Sequence, residues 1–182
     1  MRSKVSLIAA PTNLSPGGYV REAYADRTAP HTPVAELEAE ETGGLWRIRL
    51  SWACPEPVRA LNDDVDRFVD AAAVLAPTVA DAPWMTMGGP GKAVEGALWR
   101  ADRDDLVGVR AEGLGTVGRS AAPEGWGAVA EWKSGQWALE FTLKGWDVLA
   151  ARRQLAIAVW QGAQGDRAGL KSVSPGWLDV AS

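Results

Sequence analysis

The sequence predicts an all-β protein, an antiparallel β-sandwich with one or two short helices. Apolar segments recur roughly every ten residues, apolar and polar side chains alternate within several of them, and turns are frequent. The 20 glycines and 11 prolines supply the turn residues that such a fold needs. With 182 residues and 47% hydrophobic content, the chain can bury the core of one domain. We therefore predict a single domain over residues 1–182.

The first half of the chain begins with a strand and then loses its regularity. An apolar stretch over residues 5–10 predicts the strand. Residues 11–44 contain prolines and glycines with little periodicity, which predicts a long irregular segment that wraps a surface or a partner. From Leu45 onward the period becomes two, as expected of a half-buried strand. Its apolar positions are Trp46, Ile48, Leu50 and Trp52.

Two alternating segments further along the chain predict a β-hairpin. They cover residues 126–133 and 136–144, and Ser134-Gly135 forms the turn between them. The residues on one face of the second segment are all apolar: Trp137, Leu139, Phe141 and Leu143. Further strands are predicted over residues 68–75, 93–100, 105–111, 155–160 and 177–180, and a helix over residues 147–153.

Charge and residue counts exclude several classes of function. The chain carries 19 Lys and Arg against 23 Asp and Glu, so it has no basic surplus for binding nucleic acid. Its single cysteine, Cys54, excludes an internal disulfide and iron–sulfur sites, and its single histidine, His31, excludes bis-histidine haem and HExxH zinc sites. No run approaches the roughly 18 apolar residues of a membrane span, and residues 5–10 are too short for a secretory signal. We expect neither a nucleic-acid partner nor a membrane span.

Motifs for hydrolysis, phosphate binding and carboxylate chemistry are weak. Two acidic clusters, Asp63-Asp64-Asp66 and Asp102-Asp104-Asp105, are more typical of solvated turns than of calcium or acid–base sites. Residues 88–92 are rich in glycine but lack the spacing of a phosphate loop, so they predict a tight turn. The sequence contains no Gly-x-Ser-x-Gly motif. We predict no catalytic residues.

Tryptophan is unusually abundant, with ten residues against two Phe and two Tyr. Trp46, Trp52 and Trp137 lie on the apolar faces of predicted strands, so we expect them in the core. The candidates for lining an aromatic pocket are Trp84, Trp99, Trp160 and Trp177. Because exposed indoles on a β-sandwich can bind sugars, one hypothesis is a carbohydrate-binding module that uses its tryptophans and no cofactor.

Several segments together resemble a known family. They are residues 68–77 (FVDAAAVLAP), 85–88 (MTMG), 92–102 (KAVEGALWRAD), 157–163 (IAVWQGA) and 166–172 (DRAGLKS). In this order and spacing, over about residues 45–182, the chain resembles the b-haem-binding γ subunits of type II molybdenum enzymes of the dimethyl sulfoxide reductase family. Ethylbenzene dehydrogenase and dimethyl sulfide dehydrogenase are members. Compared with the family pattern, the chain lacks an aromatic residue before Pro77 and another near Trp99.

The resemblance implies one non-covalent haem b, held between loops and strand ends of the sandwich. By motif, the axial ligands of the iron are Met87, which precedes Gly88, and Lys171. We also assign to the cofactor-binding site Trp99 and Trp160, two of the candidate pocket tryptophans, which lie in these segments. A thioether raises the potential of a haem, and a lysine amine can bind iron once it has lost its proton. Met85 remains a competing ligand, and His31 is a minor alternative.

The resemblance also implies partners and a compartment. Such a chain is an electron-transfer subunit without catalytic residues of its own. It belongs to a heterotrimer with a molybdopterin catalytic α subunit and an iron–sulfur β subunit, and it exchanges electrons with an external carrier such as a c-type cytochrome. The expected location is the periplasm, reached by export together with a partner that carries a twin-arginine signal.

Overall fold

Two antiparallel β-sheets make up most of the computed structural model, which describes residues 1–14, 18–60 and 65–180. The strands are β1 (Arg2–Ser6), β2 (Ile8–Ala9), β3 (Val34–Thr42), β4 (Leu45–Ala53), β5 (Ala71–Pro77), β6 (Val94–Arg100), β7 (Val107–Ala111), β8 (Gly118–Ala121), β9 (Trp126–Lys133), β10 (Gln136–Lys144), β11 (Gln154–Trp160), β12 (Ser172–Val173) and β13 (Leu178–Asp179). The helices are α1 (Gly18–Ala23) and α2 (Asp147–Arg152), with single 3-10 turns at Thr12–Leu14 and Gly162–Gln164. The predicted all-β sandwich with short helices is confirmed.

The first sheet has the strand order β1-β3-β4-β10-β9. Its centre is the pair β4 and β10, whose alternating apolar residues face each other in register, for example Trp52 with Trp137 and Ile48 with Phe141. These inward side chains are fully buried, whereas the residues between them are more exposed. The alternation read from the sequence therefore fixes which face of this sheet enters the core.

The second sheet has the order β2-β12-β11-β5-β6-β7-β8, and β13 also pairs with β11. Its central strands β5 and β11 are almost continuously apolar and buried. A strand of this kind needs cover on both faces. One face packs on the first sheet, and loops cover part of the other.

A cluster of tryptophans fills the space between the sheets. The ring centroids of Trp52, Trp99 and Trp137 lie 5.1–6.4 Å apart, and two of the three pairs are edge-to-face. The indole nitrogen of Trp137 donates to Oδ2 of Asp70 at 2.9 Å. Trp46 is also buried, so the predicted core positions of Trp46, Trp52 and Trp137 are confirmed.

The prediction of an irregular segment over residues 11–44 is wrong for its last third. Nine of these residues form β3, which pairs with β1 on one side and with β4 on the other. Ala35, Leu37 and Ala39 point into the core, and glutamates occupy the alternate positions. Alanine and glutamate are weak strand formers, so the period of two was hard to recognise. Residues 15–17 of this segment lie outside the described residues.

Other boundaries differ by a few residues. The strand predicted over residues 5–10 is divided into β1 and β2, and the strand predicted from residue 68 begins at Ala71. Strands β8 and β12 were not predicted, because four exposed residues and a pair carry no periodicity. The described helices are six residues long, and none in this part of the chain is long and apolar enough to cross a membrane.

Candidate functional site

A cavity of about 640 Å³ lies on the face of the second sheet that points away from the core. Its floor is formed by residues of β5, β6 and β11, among them Ala73, Leu98 and Ala158. Two loops form its walls, one between β5 and β6 and the other between β11 and β12. Its volume is in the range of cofactor and ligand sites, about 300–1,000 Å³.

Small side chains on the floor keep the cavity open. Four alanines, Ala71, Ala73, Ala156 and Ala158, line it where larger residues would fill the space. The rim is apolar and exposed at Met85, Leu114 and Val117, of which Met85 is the most exposed at 49%. An apolar floor with an apolar rim suits a largely hydrophobic ligand.

The loop between β5 and β6 presents Met87 to the cavity. Met87 lies in a tight turn, in which its own nitrogen donates to Trp84 O at 3.1 Å and Gly88 N donates to Pro83 O at 2.8 Å. Met87 has a φ of 57° and Gly88 a φ of 86°, both in the left-handed region. A Cβ atom on Gly88 would lie 2.5 Å from Lys92 O, so only glycine fits beside Met87. Met85 and Met87 therefore lie on a turn between two strands.

The loop between β11 and β12 presents Lys171 from the other side. Arg167 and Leu170 close a small turn before it, and Ala10 N donates to Lys171 O at 2.9 Å. These contacts direct the side chain into the cavity, where its amine lies 5.0 Å from the ring centroid of Trp160. The amine nitrogen Nζ is 3.9 Å from Sδ of Met87. The two candidate ligands, 84 positions apart in the chain, thus face each other.

Burial changes the acid–base behaviour of this lysine. Removal from water lowers the pKa of Lys171 to about 8, and the positive charge of Arg119 lowers the pKa further in the same direction. A lower pKa makes the neutral amine, with its free electron pair, accessible near neutral pH. Only the neutral amine can bind a metal.

The donor atoms of Met87 and Lys171, a thioether sulfur and an amine nitrogen, suit a haem iron by their chemistry. Nζ of Lys171 and Sδ of Met87 come within 3.9 Å of each other, so both donor atoms reach the same region of the cavity. A methionine sulfur is an established axial donor to haem iron.

The competing ligands are placed less favourably. Met85 lies at the rim and is half exposed. His31 lies outside the cavity lining, and its Nδ1 is 2.7 Å from Oδ1 of Asp166. Asp166 is fully buried and also accepts a hydrogen bond from Arg27. Met87 is therefore better placed than Met85, and Nδ1 of His31 is already engaged with Asp166.

Of the two tryptophans assigned to the cofactor site, one lines the cavity. Trp160 lines it, and its indole nitrogen donates to Ala168 O at 3.0 Å. Trp99 packs in the core between the sheets, so its assignment to the pocket is wrong. The reason is strand parity, because Leu98 and Arg100 face the cavity and Trp99 between them faces the opposite way. Trp84 and Trp177 also line the cavity, as the sequence suggested.

Two buried carboxylates hold the cavity loops in place, and sequence reasoning gave neither of them a role. Asp70 accepts hydrogen bonds from Gly162 N at 2.7 Å and from Val58 N at 3.0 Å. Asp166 accepts from Gln161 N at 3.1 Å as well as from Arg27 and His31. Asp166 begins one of the segments that carry the family resemblance, and this was the available signal.

The remaining motifs form ordinary turns and ion pairs. Gly89 and Lys92 exchange backbone hydrogen bonds, which confirms the tight turn over residues 88–92. Asp102 pairs with Arg100, and Asp63 and Asp64 lie outside the described residues. Among residues 1–14, 18–60 and 65–180, no three His, Cys, Asp or Glu side chains are grouped in a way that could hold a metal ion.

No protein-family model matches the chain, and no curated protein matches it. One solved structure to which it is similar is a carbohydrate-binding module of family 9 from Caldicellulosiruptor kristjanssonii, in complex with glucose. The sequence identity is 8% and the TM-score is 0.42, over 93% of this chain and 73% of that chain. A likeness of this strength carries no argument about function.

Proposed function

We propose that this chain is an electron-transfer protein that holds one haem b non-covalently between Met87 and Lys171. The observation that carries the proposal is the 3.9 Å approach of a thioether and a partly buried amine inside a largely apolar cavity. The two side chains come from separate loops, and removing a lysine amine from water without a carboxylate partner is costly for the fold. A ligand that uses the amine explains why the chain keeps it.

Each group around the cavity has a definite part in this proposal. Met87 and Lys171 would hold the iron, and the alanine floor with Trp160 would form the apolar lining around it. The haem itself supplies reversible one-electron chemistry at the iron. Such a role needs no acid, base or nucleophile from the chain, so the protein is not an enzyme by itself.

The wider assembly follows from the sequence resemblance. We propose a heterotrimer with a molybdopterin catalytic α subunit and an iron–sulfur β subunit, an external carrier such as a c-type cytochrome, and a periplasmic location. The segments over residues 68–102 and 157–172 support this part of the proposal. Co-purification of the tagged chain from its source organism, followed by metal analysis for molybdenum and iron, tests it.

An absorption spectrum of the full chain, titrated with haem and then reduced, tests the cofactor. We expect a Soret band and sharp reduced α and β bands of a low-spin, six-coordinate b-type haem. Met87→Ala is expected to lower the haem potential or lose the haem, because it removes the thioether. Met85→Ala is the matched control and should keep the low-spin spectrum. The reverse result would transfer the assignment to Met85.

The second candidate function is carbohydrate binding. Three partly exposed tryptophans, Trp84, Trp160 and Trp177, line the open cavity, and indole rings pack well on sugar faces. Calorimetric titration of the haem-free chain with glucose oligosaccharides tests this candidate. Saturable sugar binding that Trp84→Ala abolishes, in a chain that gives no haem spectrum, would replace the haem proposal.

A further inference from the structure

The charged residues that line the cavity are mostly positive. Among the described residues they are four cations and one anion: Arg100, Arg119, Arg167, Lys171 and Asp166. The charge of the anion is already paired, because Asp166 contacts Arg27 and His31, which lie outside the cavity lining. The cavity therefore presents an excess of positive charge to whatever fills it.

Two of the arginines are engaged within the protein. Arg100 pairs with Asp102 through two hydrogen bonds of 2.9 and 2.8 Å, a bidentate geometry. Arg167 lies over the ring of Phe68, 4.6 Å from its centroid, and its guanidinium is 3.5 Å from the hydroxyl of Tyr24. Neither guanidinium is in an environment that calls for a further anion.

Arg119 differs from both. It lies on β8, the exposed outer strand of the second sheet, opposite Val109 of β7, which also lines the cavity. Within the described ranges it has no carboxylate partner. Its charge nevertheless reaches the inside of the cavity, because it acts electrostatically on Lys171. Arg119 is thus a cation at the mouth with a free guanidinium.

We propose that Arg119 binds an acidic group of the ligand, so that the ligand is an amphiphilic anion with its carboxylate at the mouth. This inference rests on the proposed function, and for a haem the acidic group is a propionate. An arginine and a carboxylate form charge-assisted, often bidentate, hydrogen bonds. The apolar part of the same ligand covers the alanine floor.

The position of Arg119 keeps the desolvation cost of the ligand carboxylate small. All four residues of β8 are exposed, so a carboxylate at Arg119 keeps part of its contact with water. The rim residues Leu114 and Val117, which precede β8, lie against the cavity and can cover the adjoining apolar edge of the ligand. The carboxylate of the ligand would thus lie at the mouth of the cavity and its apolar part on the alanine floor.

The test compares haem with its dimethyl ester, in which both propionates are blocked. The haem-free full chain is titrated with each compound by absorbance, for the wild type, Arg119→Gln and Arg119→Lys. We expect the wild type to bind haem more tightly than the ester, and Arg119→Gln to weaken haem binding roughly tenfold. The ester should bind both proteins equally, and Arg119→Lys should restore part of the difference.

Arg110→Gln is the matched control. Arg110 lies on β7 beside β8, pairs with Glu95 and Glu112, and does not line the cavity. Its substitution removes the same charge from the neighbouring strand, and we expect no change in the ratio of the two affinities. Melting curves of all variants verify that the fold is intact.

The outcomes separate this inference from the proposed function. If haem and its ester bind the wild type equally and Arg119→Gln changes neither affinity, the role of Arg119 is wrong and the haem proposal stands. If Arg110→Gln weakens haem as much as Arg119→Gln does, the effect is one of general charge, and the role of Arg119 is again wrong. If neither compound gives a low-spin spectrum with the wild type, the proposed function fails.

Discussion

The two faces of the second sheet use neighbouring residues of the same strands, yet one face is filled and the other is open. On β5, Ala72 and Val74 face the tryptophans and leucines of the first sheet. Ala73, between them, faces the cavity together with Ala158 of β11. Small residues therefore contribute to close packing on one face and to an open cavity on the other. The difference is that the first sheet covers one face, whereas loops cover only part of the other.

The two faces are also held by different forces. The closed face is held by apolar packing, because its residues belong to the cluster of buried hydrophobic side chains that fills the space between the two sheets. On the open face the loops are fixed by hydrogen bonds to the buried carboxylates of Asp70 and Asp166. Polar anchors can hold loops apart at a fixed distance, whereas apolar packing would draw them together. We infer that the hydrogen bonds to these two carboxylates keep the cavity open.

The largest expected change in the free energy of unfolding comes from removing one of the two buried carboxylates that hold the cavity loops. Asp166→Ala leaves the guanidinium of Arg27, whose side chain is 11% exposed, without its carboxylate. Loss of one partner of a buried ion pair costs about 3–5 kcal/mol of the free energy of unfolding. Chemical denaturation measures it. Asp102→Ala, which removes a partly exposed carboxylate from Arg100, is the control and should cost at most about 1 kcal/mol. Equal effects of the two substitutions would contradict the distinction between the faces.

A pair of alanine substitutions compares the two faces directly. Ala72→Leu places extra methyl groups in the packed core, and we expect it to lower the free energy of unfolding by about 1–3 kcal/mol. Ala73→Leu extends into the cavity, so the fold should tolerate it while haem binding weakens. Denaturation and haem titration of both variants measure this. A stable Ala72→Leu protein would show that the core face has spare volume.

A smaller effect is expected from the amine itself. Lys171→Met keeps roughly the length of the side chain and removes a partly buried charge, which should stabilise the haem-free protein by about 0.5–2 kcal/mol. The same substitution should change the axial ligation of a bound haem. Thermal unfolding of the haem-free chain, with Lys144→Met as an exposed control, measures the first effect. A lower melting temperature for Lys171→Met would mean that the amine stabilises the fold.

The pH dependence of stability should identify the same group. The pKa of Lys171 in the folded protein is lowered to about 8 from an ordinary 10.5, so between these values the unfolded chain binds more protons. The free energy of unfolding of the haem-free protein should therefore rise as the pH increases from about 8 towards 10.5, relative to Lys171→Met. Below pH 8 the cost of burying the charge is fully present. Parallel profiles for the two proteins would contradict the lowered pKa.

The fold was predictable wherever one face of a strand is apolar and the other polar. The hairpin β9–β10 and strand β4 follow the period of two, and their observed bounds match the predicted ones. Strand β3 was missed because Ala35 and Ala39 give little contrast with glutamate. In β6 both faces are apolar, so the sequence does not indicate which face Trp99 occupies.

The candidate site was predictable only through the resemblance. Neither Met87 nor Lys171 stands out by periodicity, since isolated methionines usually pack in cores and lysines usually remain solvated. Their approach depends on loops that are anchored by Asp70 and Asp166, residues far from both in the chain. Contacts of this kind result from tertiary packing, which local patterns do not record. Arg119 is not predictable from the sequence for the same reason, because a single arginine on a four-residue strand carries no pattern.

The left-handed backbone of Met87 has a counterpart on the other wall, where Ala168 has a φ of 46°. Residues other than glycine rarely adopt this backbone conformation, so contacts with neighbouring residues must hold both loops in it. Gly113 N donates to Met87 O at 3.1 Å, and the indole of Trp160 donates to Ala168 O at 3.0 Å. The two loops that form the walls are thus ordered in the absence of ligand, and ligand binding should cost little conformational entropy. Entry should accordingly be governed by diffusion and by the width of the mouth rather than by a closing motion.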